Sequence, residues 1–177
     1  MRGGGVFVSS AASLFIDMSV ENVKKILAEH HLADRYIEFD DSTATVALAA
    51  QQLHCEPARI AKSMAMILKS GEAIVIVTNG TAKIDNKKFR NIFHDKAHFC
   101  PGEQLLEKVG HPMGGVSPFG LKEGVKLYLD ESLKLFDFVY PAAGSAHNAV
   151  RLTIDELEKV TGGQWIDVCK DQSEKLE

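Results

Sequence analysis

Apolar positions along the chain follow two rhythms, and the switches between them mark out short helices and short strands. Over Ser19–His31 the residues Val20, Val23, Ile26 and Leu27 keep a helical spacing, with Ser19 placed as an N-cap. Arg35–Phe39 reads as a short strand containing Tyr36 and Ile37. Ala44–His54 has the Ala/Leu spacing of a helix that must stop before Pro57. Ile60–Leu68 and Ala73–Thr78 read as strands joined by Lys69-Ser70-Gly71-Glu72, a hairpin signal. Asp85–Phe93 is helical with Asp85 as its cap, and Glu103–Val109 is a second helix set between Pro101 and Gly110. A Gly/Pro loop, His111–Gly120, precedes short strands at Val125–Leu129, Phe136–Tyr140 and Ala149–Leu152. Thr153–Val160 then carries Thr153 and Glu156 at the spacing of a capping box, and Trp165–Val168 is a last strand. Helices and strands alternate without a regular βαβ rhythm, so the expected class is α+β with a mixed sheet. No internal repeat or low-complexity linker interrupts the pattern.

Composition narrows the class further. At 177 residues and 19.4 kDa, with 45% hydrophobic and 25% charged residues, the chain is expected to be one domain with a true core. It has no unbroken run of about 18 apolar residues, so no membrane span is expected. Cys55, Cys100 and Cys169 are scattered and odd in number, which suits a reducing cytoplasm. Glycines and serines break up the N-terminal apolar residues, so residues 1–17 read as a flexible extension rather than a signal peptide. Residues 18–170 then form the domain and 171–177 a tail. The net charge is −4, but Arg59–Lys96 holds eight Lys/Arg against three acids, while Arg151–Glu177 holds four bases against seven acids. A basic middle in an acidic chain fits a phosphate-facing patch, although solvated faces alone would give the same count.

Three stretches carry candidate chemistry. Gly114-Gly115-Val116-Ser117-Pro118-Phe119-Gly120 makes a rigid turn whose backbone N–H groups can form an anion nest or oxyanion hole; an ordinary turn is the alternative. It is neither a phosphate-binding GxxxxGK[ST] loop nor a nucleophile elbow. Lys62 lies inside a strand that otherwise reads as buried, so it must have a partner, face a pocket, or snorkel at an edge. Gly144-Ser145-Ala146-His147-Asn148 is a small polar loop between strands that lines a pocket or simply turns the chain. His94 and His98 share the spacing of a zinc-binding HExxH helix, but the segment runs into Phe99-Cys100-Pro101, which argues against a helix there. A cysteine nucleophile would need an activated thiol beside a histidine, and the neighbours His54-Cys55 say nothing about geometry.

Together these stretches resemble the YbaK/ProX family of aminoacyl-tRNA deacylases, related to the editing domain of prolyl-tRNA synthetase. The matching pieces are Ala61-Lys62-Ser63, the hydrophobic hairpin, Gly80 with Lys83-Ile84-Asp85-Asn86-Lys87-Lys88, the Gly114–Gly120 loop, Asp130, and Ala143-Gly144-Ser145 before the Thr153–Leu157 helix. The likeness runs from about Met18 to Asp167. It implies a single α+β domain with a curved, barrel-like mixed sheet and flanking helices. It also implies hydrolysis of the ester joining a wrong small amino acid, alanine or cysteine, to a tRNA, typically tRNA(Pro). By the resemblance, the catalytic positions fall on Lys62, Gly114, Gly115, Val116 and Ser117. Substrate-binding positions fall on Tyr36, Ser63, Gly144, Ser145, His147 and Asn148, and tRNA contacts on Lys83, Lys87, Lys88 and Arg90. No cofactor or metal is implied, and neither a membrane nor DNA is an expected partner; the partners are the tRNA acceptor end and prolyl-tRNA synthetase. Ser63 stands where members of other specificity carry Thr or Asn, and His147-Asn148 is closer to the alanine-specific branch. A non-catalytic module of the same fold that binds a tRNA 3′ end or a synthetase is the alternative.

Overall fold

The computed structural model describes residues 11–171. Over these residues the chain forms α1 (Ala11–Glu29), α2 (Val46–Leu53), α3 (Asn86–Phe93), α4 (Leu105–Val109) and α5 (Ile154–Thr161). The strands are β1 (Tyr36–Glu38), β2 (Ile60–Ile67), β3 (Ala73–Asn79), β4 (Lys126–Asp130), β5 (Phe138–Pro141), β6 (Asn148–Val150), β7 (Leu152–Thr153) and β8 (Gln164–Ile166).

The β2–β3 hairpin lies at the centre of a six-stranded sheet ordered β7-β5-β2-β3-β4-β8. Its own pairing is antiparallel, whereas β2–β5, β3–β4 and β4–β8 run parallel, which makes the sheet mixed as expected. On β3 the side chains alternate: Val75 and Val77 join a core with Val23 and Leu27 of α1, while Ile74 and Ile76 pack with Met64, Met66 and Phe89 of α3. Both faces are therefore covered, which explains the unbroken apolar run of this strand. Local signals set the helix ends. Thr45 caps α2, the Asp85 carboxylate accepts from the N–H groups of Lys87 and Lys88, and Thr153 and Glu156 complete their capping box.

Several boundaries differ from the sequence reading. Helix α1 already runs at Ala11, the first described residue and inside the stretch read as an extension, so Ser19 lies within the helix instead of capping it; its buried side chain is engaged elsewhere. Residues 1–10 and 172–177, which hold the rest of the expected extension and nearly all of the tail, lie outside the described residues. Strand β5 begins at Phe138 because Phe136 still closes a single-turn 3-10 helix, its N–H donating to Leu133 O at 3.4 Å. The expected strand Ala149–Leu152 is divided: β6 pairs with β1 as a separate two-stranded ribbon, and β7 pairs with β5. Strand β8 stops at Ile166 because the Val168 N–H turns to the Asp130 carboxylate at 2.8 Å.

The segment after β8 is fastened to the start of α3. Asp85 N donates to Val168 O, Lys170 N donates to Lys83 O, and Ile84 bridges to Cys169. No helix among the described residues is long and apolar enough to cross a membrane.

Candidate functional site

The free edge of β2 is interrupted. Ile60 and Ala61 pair with Tyr140 and Pro141 of β5, and further along Ala65 O accepts from Cys100 N at 2.9 Å. Lys62, Ser63 and Met64 lie between these contacts, and a cavity of about 310 Å³ opens against them. Gly114, Val116 and Asn148 close it from two loops, and Ala49, Ile60 and Val46 supply apolar wall.

Lys62 is held by a run of hydrogen bonds reaching back into the sheet. Its Nζ donates to Ala82 O at 3.0 Å. The Asn79 side chain shapes that turn, its Oδ1 accepting from Thr81 N and Ala82 N at 3.0 and 2.9 Å. Asn79 Nδ2 donates in turn to Ser132 O, and the buried Asp130 carboxylate receives Ser132 N at 2.8 Å. An ammonium inside an apolar strand thus has a braced partner, and it stands on the cavity wall. Beside it, the buried Ser63 Oγ has no hydrogen-bond partner among the described residues.

The two loops are packed backbone to backbone. A Cβ on Gly115 would fall 2.6 Å from Ser145 Cα, and one on Gly114, whose φ is +80°, 2.8 Å from Ala44 Cβ. Only glycine allows this approach. The Gly115 N–H is taken by Pro112 O at 3.0 Å, so within this loop it is Gly114 and Val116 that face the cavity. Ser117 is fully buried and does not line the cavity; its Oγ accepts from Phe119 N at 3.3 Å and shapes the turn. Asn148 is both wall and scaffold. Its Oδ1 accepts from Ala143 N and Ser145 N, and its Nδ2 donates to Ala143 O and to the Tyr36 hydroxyl. Tyr36 sits behind the wall with Lys24 over its ring, and burial raises its phenol pKa. Gly144 and Ser145 form the back of this loop, and His147 is exposed on its outer side.

A histidine not singled out from the sequence ties the loops to α1. His111 is fully buried; its Nε2 donates to Phe119 O at 2.6 Å, and its Nδ1 lies 2.5 Å from Ser19 Oγ. Gly144 O lies 3.0 Å from the same Ser19 hydroxyl, so the two acceptors share its single proton. Burial holds the imidazole below its ordinary pKa, so the ring is neutral, with Nδ1 accepting. The sequence around it carried no signal, since its partners Ser19 and Phe119 meet it only in the fold.

Of the expected tRNA contacts, Lys83, Lys87 and Arg90 are exposed on and beside α3. Lys88 is not presented in that way. Its Nζ donates to Asp167, Asp171 and the Cys169 carbonyl at 3.0, 3.0 and 2.9 Å, and the two carboxylates hold its pKa well above the usual lysine range. It clasps the segment after β8.

The nucleophile alternatives lose their geometry here. Helix α3 ends at Phe93 and His94 takes a left-handed conformation, so His94 and His98 do not share a helix face. Burial pushes the thiols of Cys55 and Cys100 up, away from the thiolate form, although Cys100 lines the cavity. What the cavity offers is one braced cation, glycine-loop backbone and a small apolar floor. That set suits a compact, already reactive acyl group better than one needing a protein nucleophile.

Comparison with known proteins agrees with this arrangement. A Bacillus subtilis (strain 168) protein of uncharacterized role, YwhH, is 43% identical over 155 residues, covering 87% of this chain and 99% of its own. EbsC of Enterococcus faecalis, provisionally named a Cys-tRNA(Pro)/Cys-tRNA(Cys) deacylase, is 23% identical over 150 residues, 83% of this chain and 92% of its own. A crystal structure provisionally described as a trans-editing enzyme for prolyl-tRNA synthetase superposes with a TM-score of 0.77 at 28% identity, covering 86% of this chain and 98% of that one. The family profile described as the aminoacyl-tRNA editing domain matches residues 40–160, a span that takes in Lys62, the glycine turn and Asn148, and the chain therefore belongs to the aminoacyl-tRNA editing domain family.

Proposed function

We propose that the protein is a free-standing deacylase that hydrolyses the ester of a small mischarged amino acid, alanine or cysteine, on tRNA(Pro). The observation that carries this reading is the cavity itself, about 310 Å³ with Lys62 on one side and Gly114 and Val116 on the other. The acyl side chain enters against Ala49 and Ile60, and the ester carbonyl lies toward the backbone of the glycine turn, whose N–H donors meet the developing oxyanion. Water is the nucleophile. It adds to the carbonyl carbon and passes a proton to the neighbouring ribose hydroxyl, which gives its own proton to the ribose oxygen as the ester bond breaks; the free amino acid and the intact ribose diol are the products. Fixing these groups in one geometry is sufficient acceleration for an ester that is labile on its own. Lys62 contributes positive charge at the mouth, directed toward the nucleic-acid side of the ester.

Rejection of proline rests on cavity size, and a methylene group is worth only about 1–3 kcal/mol, so the expected selectivity is strong without being absolute. Synthetase association accompanies this role as a further expectation, and the site of action is the cytoplasm. The deciding experiment offers purified protein Ala-, Cys-, Ser- and Pro-charged tRNA(Pro), with Lys62→Ala alongside. Loss of the alanyl or cysteinyl ester with Pro-tRNA spared, and at least hundredfold slower loss with the variant, is the expected result. Survival of every ester while tRNA still binds would replace this reading with a non-catalytic module that holds the tRNA end.

A further inference from the structure

Phe99 is 62% exposed, an unusual setting for a phenyl ring whose backbone is firmly placed. Its segment is fixed to the edge of β2: Phe99 bridges to Met66, Ile67 N donates to His98 O at 3.0 Å and Cys100 N to Ala65 O at 2.9 Å. The ring stands between two hollows. One is the cavity described above; the other is a groove of about 310 Å³ on its far side, and Lys62, Met64 and Phe99 belong to the walls of both. The rest of the groove is apolar at Ile84 and Ala97 and cationic at its outer end, where the exposed Lys83 takes part in no ion pair among the described residues.

An aminoacyl ester divides at one carbon into an acyl half and an alcohol half. If the acyl half fills the first cavity, the alcohol half must leave past the shared wall. The adjoining groove offers a flat aromatic face, an apolar slot and a cation, the three features that receive the base, sugar and phosphate of one nucleotide. We propose that this groove binds the terminal nucleotide of the tRNA, with Phe99 as the stacking platform for its adenine and Lys83 as the partner of its phosphate. The inference rests on the deacylase reading for the identity of the ligand. The groove itself can be tested without turnover.

The first measurement is binding of adenosine 5′-monophosphate to the wild-type protein, followed by amide chemical shifts. Shifts confined to residues 83–86 and 97–99, lost in Phe99→Ala and kept in Phe99→Tyr, are expected. In turnover of alanyl-tRNA, Phe99→Ala raises KM about tenfold, the scale of one lost base stack, with the smaller effect on kcat, and Phe99→Tyr restores it. Absence of nucleotide binding, or an Phe99→Ala variant that binds it as tightly as wild type, overturns the groove. Should the wild type bind the nucleotide through Phe99 yet hydrolyse no aminoacyl-tRNA, the groove stands and the deacylase reading falls.

Discussion

His111 has no exposed surface, and its neutral ring is hydrogen-bonded at both nitrogens. Burial depresses its pKa below the ordinary 6.5, so the folded state binds fewer protons here than the unfolded chain does. The stability contributed by the neutral ring is complete above about 6.5 and is lost as pH falls through that value toward the depressed one. Thermal melting midpoints are therefore expected to fall between pH 7 and pH 5, and to fall less steeply in His111→Gln. Equal slopes in the two proteins would place the acid sensitivity elsewhere. Nothing in the local sequence announced this residue, because its partners, Ser19 and Phe119, are brought to it only by the tertiary fold. Lys62 was legible for the opposite reason: a lysine in an apolar strand is an anomaly wherever the strand ends up. Asn148 and Ser117 were both singled out as site residues. In the structure Asn148 lines the cavity while bracing its own loop, and Ser117 only braces its turn.

At the scale of elements the sequence reading is at its strongest for helices. Helices α2, α3 and α5 fall within two residues of their expected bounds, α3 and α5 with the caps read for them and α2 with Thr45, a cap that was not. Strand ends are less legible: β8 stops where the Asp130 carboxylate, 38 residues away in sequence, takes the Val168 N–H, and β5 begins only after the turn from Leu133 to Phe136 has closed. The same limit applies to the cations of α3. Four bases looked equivalent as a charge run, yet Lys88 faces inward to two carboxylates while Lys87 and Arg90 face solvent. A salt series of tRNA binding separates them. Lys87→Ala and Arg90→Ala should each lower the slope of log K against log salt by about 0.7–0.9, the value for one phosphate contact. Lys88→Ala should leave that slope unaltered; an equal reduction in all three would show that Lys88 also meets the RNA.

For the molecule as a whole, charge and topology divide the labour. Lys88 is neutralised by Asp167 and Asp171 at its side, so the cations that α3 itself presents to solvent are Lys87 and Arg90. The clasp also has a consequence in time. Helix α3 has eight residues, too few to persist alone in water, and its fasteners lie 79 to 83 residues downstream of Lys88. Contacts that close so long a loop form late, and on a ribosome they must wait until residues 167–171 have emerged. The β2–β3 hairpin, closed by a short turn, has no such delay. In pulsed hydrogen exchange during refolding, the amides of β2 and β3 should be protected before those of α3, and α3 together with residues 168–170. Early, independent protection of α3 would contradict this order. If it holds, a growing chain does not display its finished α3 surface to the many RNAs around the ribosome, and acquires that surface only once residues 167–171 have followed.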